Sequence, residues 1–490
     1  MPIIPMAQWM PDASPLHGGS AVAINVIPRS ASSYGPFYGP NLVAAAPPDA
    51  LLQAIGVQSV TGASWVFAGS QTALWRLEVA TGVWANVTGT ATIQASTGIR
   101  FWQFAQFKNQ VVAATGGSVP AIFDMTANTA FATLPAGAPI ASFAATVKSF
   151  LMLGRTNDPV GGVAPWRVWW SAINDPMTWP APGTAAAQIA ESDYNDSAGP
   201  LGQITGVVSN LANADGAILY QHGVQRVIYT GPPDIFQFPP AVGVKGCVAP
   251  GSVIVDNSKV YYLAEDGFYS FDGAVATPIG AGRVDRWFLA NWVGNPPGQV
   301  GALPYPRAVF AYSSPISRSV AWLFVSTANL FPGGVVIPDM TLVYCWAFDR
   351  WSTAKVSARF AFDFIHQVGL PPRAGFLDPS SNLVEMGGVG GAALAAVAST
   401  AELQPVPGGR CFVRSARPLV DGGSPSVQMA FRNTLQVAQS YGPDVAANPR
   451  GEAPQRVESR YVSARVSQPA GGVWTHIEGV EPTIVPAGTR

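Results

Sequence analysis

Residues 251–279 spell out four short strands in a row, and this stretch constrains the fold more than any other. Ser252-Val253-Ile254-Val255 runs into Asp256-Asn257-Ser258, and Val260-Tyr261-Tyr262-Leu263-Ala264 runs into Asp266-Gly267. Phe268-Tyr269-Ser270-Phe271 then leads to Asp272-Gly273, and a last run starts at Val275. β-Branched and aromatic runs separated by Asp-Asn and Asp-Gly are the strongest short-range hairpin signal a sequence offers. Such turns need positive φ, which Gly, Asn and Asp tolerate best. A four-stranded meander of this size is one blade of a β-propeller.

Looser copies flank it. Strand runs at 65–69, 73–79 and 83–88 form a first module, and 101–107, 110–115 and 121–126 a second. Runs at 142–147, 149–154 and 167–172 form a third, and 204–211, 217–221 and 225–230 a fourth. The meander is the fifth, and 307–313, 320–326 and 342–348, closing on Trp351, are the sixth. From Trp65 to Val309 the modules recur about every 49 residues, a propeller spacing. The expectation is an all-β chain with an irregular β-propeller of about six blades over residues 59–360. Residues 361–490 hold separated strand candidates at 411–414, 426–431, 459–466 and 473–477, which read as a C-terminal β-sandwich-like domain. Residues 1–58 are Pro-rich and read as an extended N-terminal arm, whose Trp9, Tyr34, Phe37 and Tyr38 favour docking.

Only 11% of the 490 residues are charged, against about 25% in an ordinary soluble domain. So few charges point to surface buried between subunits. The net charge of −1 argues against a protein built to grip DNA or an anionic membrane. The distribution is uneven: residues 410–490 are +3 and residues 1–409 are −4. Arginine outnumbers lysine 22 to 5, and guanidinium groups suit planar bidentate contacts. Arg410, Arg414, Arg417, Arg456, Arg460 and Arg465 are therefore the candidate interface residues.

No catalytic, cofactor or metal residue is nominated. His17, His222, His366 and His476 are isolated, without a zinc-site spacing. Cys247, Cys345 and Cys411 form no CxxC and read as reduced thiols of a protein folded in a reducing cytoplasm. The oxygen-rich run from Glu191 through Asp193, Asn195 and Asp196 lacks the register of a calcium loop. Asp234, Asp256, Asp266, Asp272 and Asp349 sit in turn contexts that explain them without catalysis. No phosphate loop, dinucleotide fingerprint or nucleophile elbow is present. No signal peptide opens the chain, and no run approaches the ~20 apolar residues of a membrane span.

Three motifs carry a resemblance. The first is 149–155 followed by Arg167-Val-Trp-Trp-Ser-Ala-Ile-Asn-Asp-Pro-Met-Thr-Trp179. The second is 251–255 with Tyr262-Leu-Ala-Glu-Asp-Gly-Phe-Tyr-Ser-Phe-Asp-Gly273 and Pro278-Ile-Gly280, and the third is 460–462 with Gly472-Val-Trp-Thr-His-Ile-Glu-Gly479. In this order they resemble tail nozzle proteins of short-tailed bacteriophages, also described as packaged-DNA stabilisation or tail accessory factors. The resemblance covers residues 60–480 and is least at the N-terminal arm. It implies a non-enzymatic virion protein, made in the bacterial cytoplasm and housed in the tail. It implies a homohexameric ring below the portal and adaptor, carrying a fibre, spike or plug, around a channel that retains and then ejects DNA without binding it tightly. The alternatives are a receptor- or glycan-binding tail-tip propeller and a propeller hydrolase.

Overall fold

The computed structural model describes residues 3–14, 17–93, 102–197, 200–241, 243–294, 309–329, 337–364, 372–386 and 391–487. Within them the chain forms an all-β propeller fused to a β-sandwich. Blades I to VI occupy residues 53–86, 103–133, 140–196, 204–237, 254–278 and 309–355, each an antiparallel four-stranded meander entered at its innermost strand. Blade V is the opening meander, with strands Ile254–Asp256, Lys259–Ala264, Gly267–Phe271 and Ala276–Pro278. Its turns take the conformations the sequence demands: φ is 48° at Asn257, 56° at Ser258 and 97° at Gly273.

The described residues hold seven blades, one more than the repeat count gives. Blade VII pairs Phe360–Phe364, Arg373–Leu377 and Leu383–Met386 with Pro40–Ala44, the outermost strand, from the far end of the chain. Its innermost strand packs between those of blades VI and I, which closes the ring. The propeller thus runs past residue 360 to Met386, and it takes in Pro40–Ala44 and Gln53–Gln58, both before residue 59. Closure is fixed by a buried carboxylate: Glu385, 1% exposed, accepts from Arg373 Nη1 at 3.1 Å and from Asn41 Nδ2 at 3.3 Å.

The sandwich has two sheets. One contains Val26–Pro28, Tyr34–Pro36, Ile477–Pro486, Cys411–Val420 and Ala453–Ser459, with Ile4–Pro5 joined to the edge of Ile477–Pro486. The other contains Ala23–Ile24, Ala396–Ser399, Tyr461–Gln468, Ser426–Arg432 and Ser440–Ala446. This second sheet does not stand apart. Ile24 pairs in parallel with Thr353 of Arg350–Lys355, the outer strand of blade VI, so one nine-stranded sheet runs from the channel wall into the sandwich. The cores merge accordingly, with Trp322 and Trp351 of blade VI in one buried cluster with Val413, Met429, Val466 and Ile477.

The N-terminal arm is extended, and it is laid into the body. Its anchor is Arg350, 2% exposed, which donates to the carbonyl oxygens of Ser30 (2.7 Å), Ala7 (2.9 Å), Ser33 (3.3 Å) and Met6 (3.4 Å). The same guanidinium stacks 4.3 Å from the centre of the Tyr34 ring. Trp9, Tyr34 and Phe37, read from sequence as docking residues, are buried against this chain's own sandwich and blades.

Candidate functional site

A sheet entered at its innermost strand leaves that strand with one hydrogen-bonded neighbour. Among the described residues this holds for the innermost strands of all seven blades. Their free edges, with unpaired N–H and C=O groups, therefore wall the central channel. The channel encloses about 700 Å³ and is lined from every blade, including Gln53, Gln103, Thr146, Thr205, Ala311 and Asp363. Two lining residues are charged. Lys148 is tied to Asp215 at 2.8 Å. Asp363 accepts from the backbone N–H of Ser313 on blade VI at 2.7 Å, and burial pushes its carboxyl up to about 6.

The blade V motif is architectural. The carboxylate of Asp285, at the start of the short helix Asp285–Asn291, is buried against the meander and accepts from the N–H of Phe268 at 3.1 Å. A Cβ at Gly267 or Gly280 would fall inside that carboxylate, so both positions require glycine; Gly267 also has φ of 146°. Burial raises the Asp285 carboxyl to about 6, with the Phe268 amide acting the other way. From the N-terminal arm, Asp12 accepts from the N–H groups of Arg286 and Trp287, each at 2.7 Å, and caps the helix across the chain. No sequence signal marks Asp12, because its partners lie more than 270 positions away.

The six candidate arginines divide. Arg414 and Arg456 are exposed on the outer face of one sandwich sheet, where Cys411–Val420 pairs with Ala453–Ser459, and neither has a described acidic partner. Beside them Arg410 pairs with Glu458 at 3.5 Å, and Arg417 with Glu452 at 3.1 Å and Glu481 at 3.6 Å. Arg460 follows at the turn out of Ala453–Ser459. Arg465 lies on the other sheet and stacks on Tyr441, 3.9 Å from the ring centre. The structure therefore gathers five of the six near one sheet and separates Arg465.

The remaining sequence candidates resolve into structure. Asp196 forms a two-pronged pair with Arg167 at 2.6 and 2.7 Å, and Arg167 also reaches the buried Asp158 at 2.9 Å. The oxygen-rich run thus spends its best ligand on an arginine. Asp272 accepts from the N–H groups of Ala274 and Val275, and Asp349 pairs with Arg283 at 2.8 Å. His476 Nδ1 meets Thr475 Oγ1 at 2.8 Å beside Asp421, whose carboxyl is held at about 2 by hydrogen bonds from Thr475 and His476 despite the opposing effect of burial. This cluster is at the surface and no cavity adjoins it among those described. His366 lies outside the described residues. Among the described residues no three His, Cys, Asp or Glu gather as metal ligands, and no helix is long and apolar enough to cross a membrane.

Among the described residues these sheets define a β-propeller of seven blades with a β-sandwich fused to blade VI. No family model matches the chain, and no curated protein matches it. Solved structures with similarity include a chain of the Mitotic Checkpoint Complex (9% identity, TM-score 0.43), covering 71% of this chain and 95% of that one. U3-55K is similar at 9% identity and TM-score 0.41, over 71% of this chain and 99% of that one. The β-propeller domain of Myceliophteria thermophila Cps50 (Swd1) is similar at 8% identity and TM-score 0.39, over 71% of this chain and 98% of that one. The assignment of the propeller rests on the seven sheets themselves.

Proposed function

We propose that the chain is a structural, non-enzymatic subunit of a short-tailed phage tail: a nozzle protein that assembles into a ring, hexameric by resemblance, beneath the portal and adaptor. The observation that carries this reading is the nine-stranded sheet that runs without a break from blade VI into the sandwich, with the N-terminal arm stitched into both. A subunit joined this way transmits load without a hinge, as a wall element must. The motifs behind the resemblance also serve architecture: Trp169, Trp170, Trp179 and Trp474 are buried, and Gly267 and Gly280 make room for Asp285. In this reading, as the resemblance to ring-forming nozzle proteins implies, the DNA conduit is walled by several copies side by side. A low charge density on such a wall leaves few phosphate contacts to retard passing DNA.

The test is electron microscopy of virions together with light scattering of the purified chain. Density for the propeller-sandwich in a ring on the tail axis is the expected result. A stable monomer that is also absent from particles refutes the proposal, and density at a fibre tip would instead favour a receptor- or glycan-binding role.

A further inference from the structure

Two faces of the subunit carry charge that the described residues do not balance. On the sandwich, Arg410, Arg414, Arg417, Arg450, Arg456 and Arg460 share the paired strands Cys411–Val420 and Ala453–Ser459 and their turns. The neighbouring acids Glu452, Glu458 and Glu481 are taken by Arg410 and Arg417. Arg414 and Arg456 are both exposed, and the register sets them beside each other between the pairs Val413↔Val457 and Ser415↔Pro454. Like charges side by side on a strand pair destabilise it unless something outside neutralises them. Ala453–Ser459 is also the end strand of its sheet, so this basic face reaches the margin of the sandwich.

The second face is the connection 171–193 of blade III, the longest between consecutive strands of one blade. It contains Asp175, Glu191 and Asp193 and no Lys, Arg or His. Its carboxylates accept from neutral donors: Asp175 from the N–H of Met177 at 2.8 Å and Thr178 Oγ1 at 2.7 Å, Glu191 from the Tyr229 hydroxyl at 3.3 Å, and Asp193 from the N–H of Tyr194 at 2.9 Å. Lys108 reaches in from blade II, but donates to Asn174 Oδ1 at 3.0 Å. Beside these acids Ile189 is 83% exposed and Met177 38% exposed. The connection is nonetheless tied down, with Trp170 Nε1 donating to the Glu191 carbonyl at 2.9 Å and Ser192 Oγ to the Trp170 carbonyl at 2.8 Å. An exposed apolar centre with a charged rim on a fixed backbone has the composition of a protein interface.

The sandwich is fused to blade VI, and blade III stands three blades away around the seven, so the two faces lie on opposite flanks of the subunit. Complementary faces on opposite flanks join neighbours head to tail, the heterologous contact that closes into a ring. We infer that the occupant of the basic sandwich face is a second copy of this chain, presenting its blade III connection. Arg414 and Arg456 take the Glu191 and Asp193 carboxylates of the neighbour, and Ile189 is covered between them. Guanidinium forks suit such carboxylates, and the pairing of unlike faces fixes the direction of the ring. The inference rests on the ring-subunit reading above and names the contact that closes the ring.

The test uses full-length chains and charge reversal on either face. Arg414→Glu with Arg456→Glu, or Glu191→Arg with Asp193→Arg, should each reduce ring assembly in particles about tenfold or more, since opposed like charges cost several kcal/mol. Mixing the two variants in equal amounts should restore assembly, because each then meets its complement on both sides and the ring alternates. A second measurement does not depend on charge. With Ile189→Cys and Pro454→Cys in one chain, a short bismaleimide should yield a ladder of covalent oligomers, and the native thiols are buried. Rings that assemble normally with either reversed face, a mixture that fails to recover, or rings that give no ladder overturn the contact while leaving the ring reading intact. Wild-type chains that are monomeric and absent from particles overturn both.

Discussion

Replacing Arg350 should release the N-terminal arm while leaving most of the propeller intact. The guanidinium is 2% exposed, and its partners are four backbone carbonyls of the arm and the face of Tyr34. The contacts to Ser30 and Ala7, at 2.7 and 2.9 Å, have the length of charge-assisted hydrogen bonds; those to Ser33 and Met6, at 3.3 and 3.4 Å, are weak. Two strong bonds at about 1.5–3 kcal/mol each and a desolvated cation–π contact of about 1–2 kcal/mol give about 4–8 kcal/mol gross. Burying a cation with no carboxylate beside it offsets part of that, so Arg350→Met should cost the arm about 3–4 kcal/mol net. By hydrogen exchange with mass spectrometry, this corresponds to a loss of protection of roughly 10²–10³-fold. The loss should be confined to residues 3–44 and their strand partners around 353, 384, 397 and 480. Blades II to IV, which the arm does not touch through any strand pairing, should exchange as in the wild type. Arg350→Lys keeps the charge but replaces the fork with a single point, and should fall between the two. If Arg350→Met leaves the arm protected, or if protection falls evenly over all blades, the arm is held by its strand pairings and the anchor argument fails.

Gly280→Ala should lower the denaturation midpoint by the equivalent of about 2–4 kcal/mol, as overpacking and a displaced buried carboxylate do, and Asp285→Ala in the same chain should recover part of it; absence of rescue would mean the clash is elsewhere. Asp285 and Asp363, both at about 6, bind protons more tightly in the folded chain than in the unfolded one. Their contribution is therefore full below the ordinary carboxyl value of 3.8 and is lost as pH rises to about 6, by up to about 3 kcal/mol for the well-buried Asp285. Asp421, held at about 2, works in the opposite direction, contributing above 3.8 and failing as pH falls toward 2. Urea midpoints should accordingly be higher near pH 4–5 than at pH 7, and Asp285→Asn should flatten that slope. Charge reversal of Arg414 and Arg456, exposed side by side with no described acidic partner, by Arg414→Glu with Arg456→Glu should reduce incorporation into particles without moving the melting temperature; normal incorporation would exclude that face as an interface.

What the sequence makes legible is what local chemistry determines. Blade V is readable almost residue by residue because its turns demand positive φ and are filled by Asn, Ser and Gly, with every strand pairing inside about 25 residues. Blade I is read without its innermost strand, because Gln53–Gln58 (QAIGVQ) has a polar residue at each end and a glycine inside it. Blade VII escapes for a different reason. Its first three strands, Phe360–Phe364, Arg373–Leu377 and Leu383–Met386, are absent from the strand candidates read from the sequence, and its fourth comes from residues 40–44, where Pro40 and Asn41 read as loop until Glu385 and Met386 are placed beside them. The channel wall shows the same limit: Asp363 follows Phe360-Ala-Phe as one polar residue in an apolar strand, and only the packing of blade VII on blade VI sets it against the Ser313 amide.

The separation between local and distant information bears on how the molecule assembles. Six blades can form as the chain emerges, each from its own meander, whereas blade VII and the nine-stranded sheet wait for partners more than 300 residues apart. Contacts of that separation close large loops and form late. The arm contributes to both, so its docking couples ring closure to sandwich attachment: Pro40–Ala44 completes the propeller, Ala23–Ile24 joins it to the sandwich, and Arg350 holds the chain on either side of Ala23–Ile24. A chain lacking residues 1–44 should then keep the hydrogen-exchange protection of blades II to V and lose that of blade VII and both sandwich sheets together. Independent loss of the two, or retention of a closed ring by electron microscopy, would show that the blades close on one another without the strap and that the arm is an ornament on a fold complete without it.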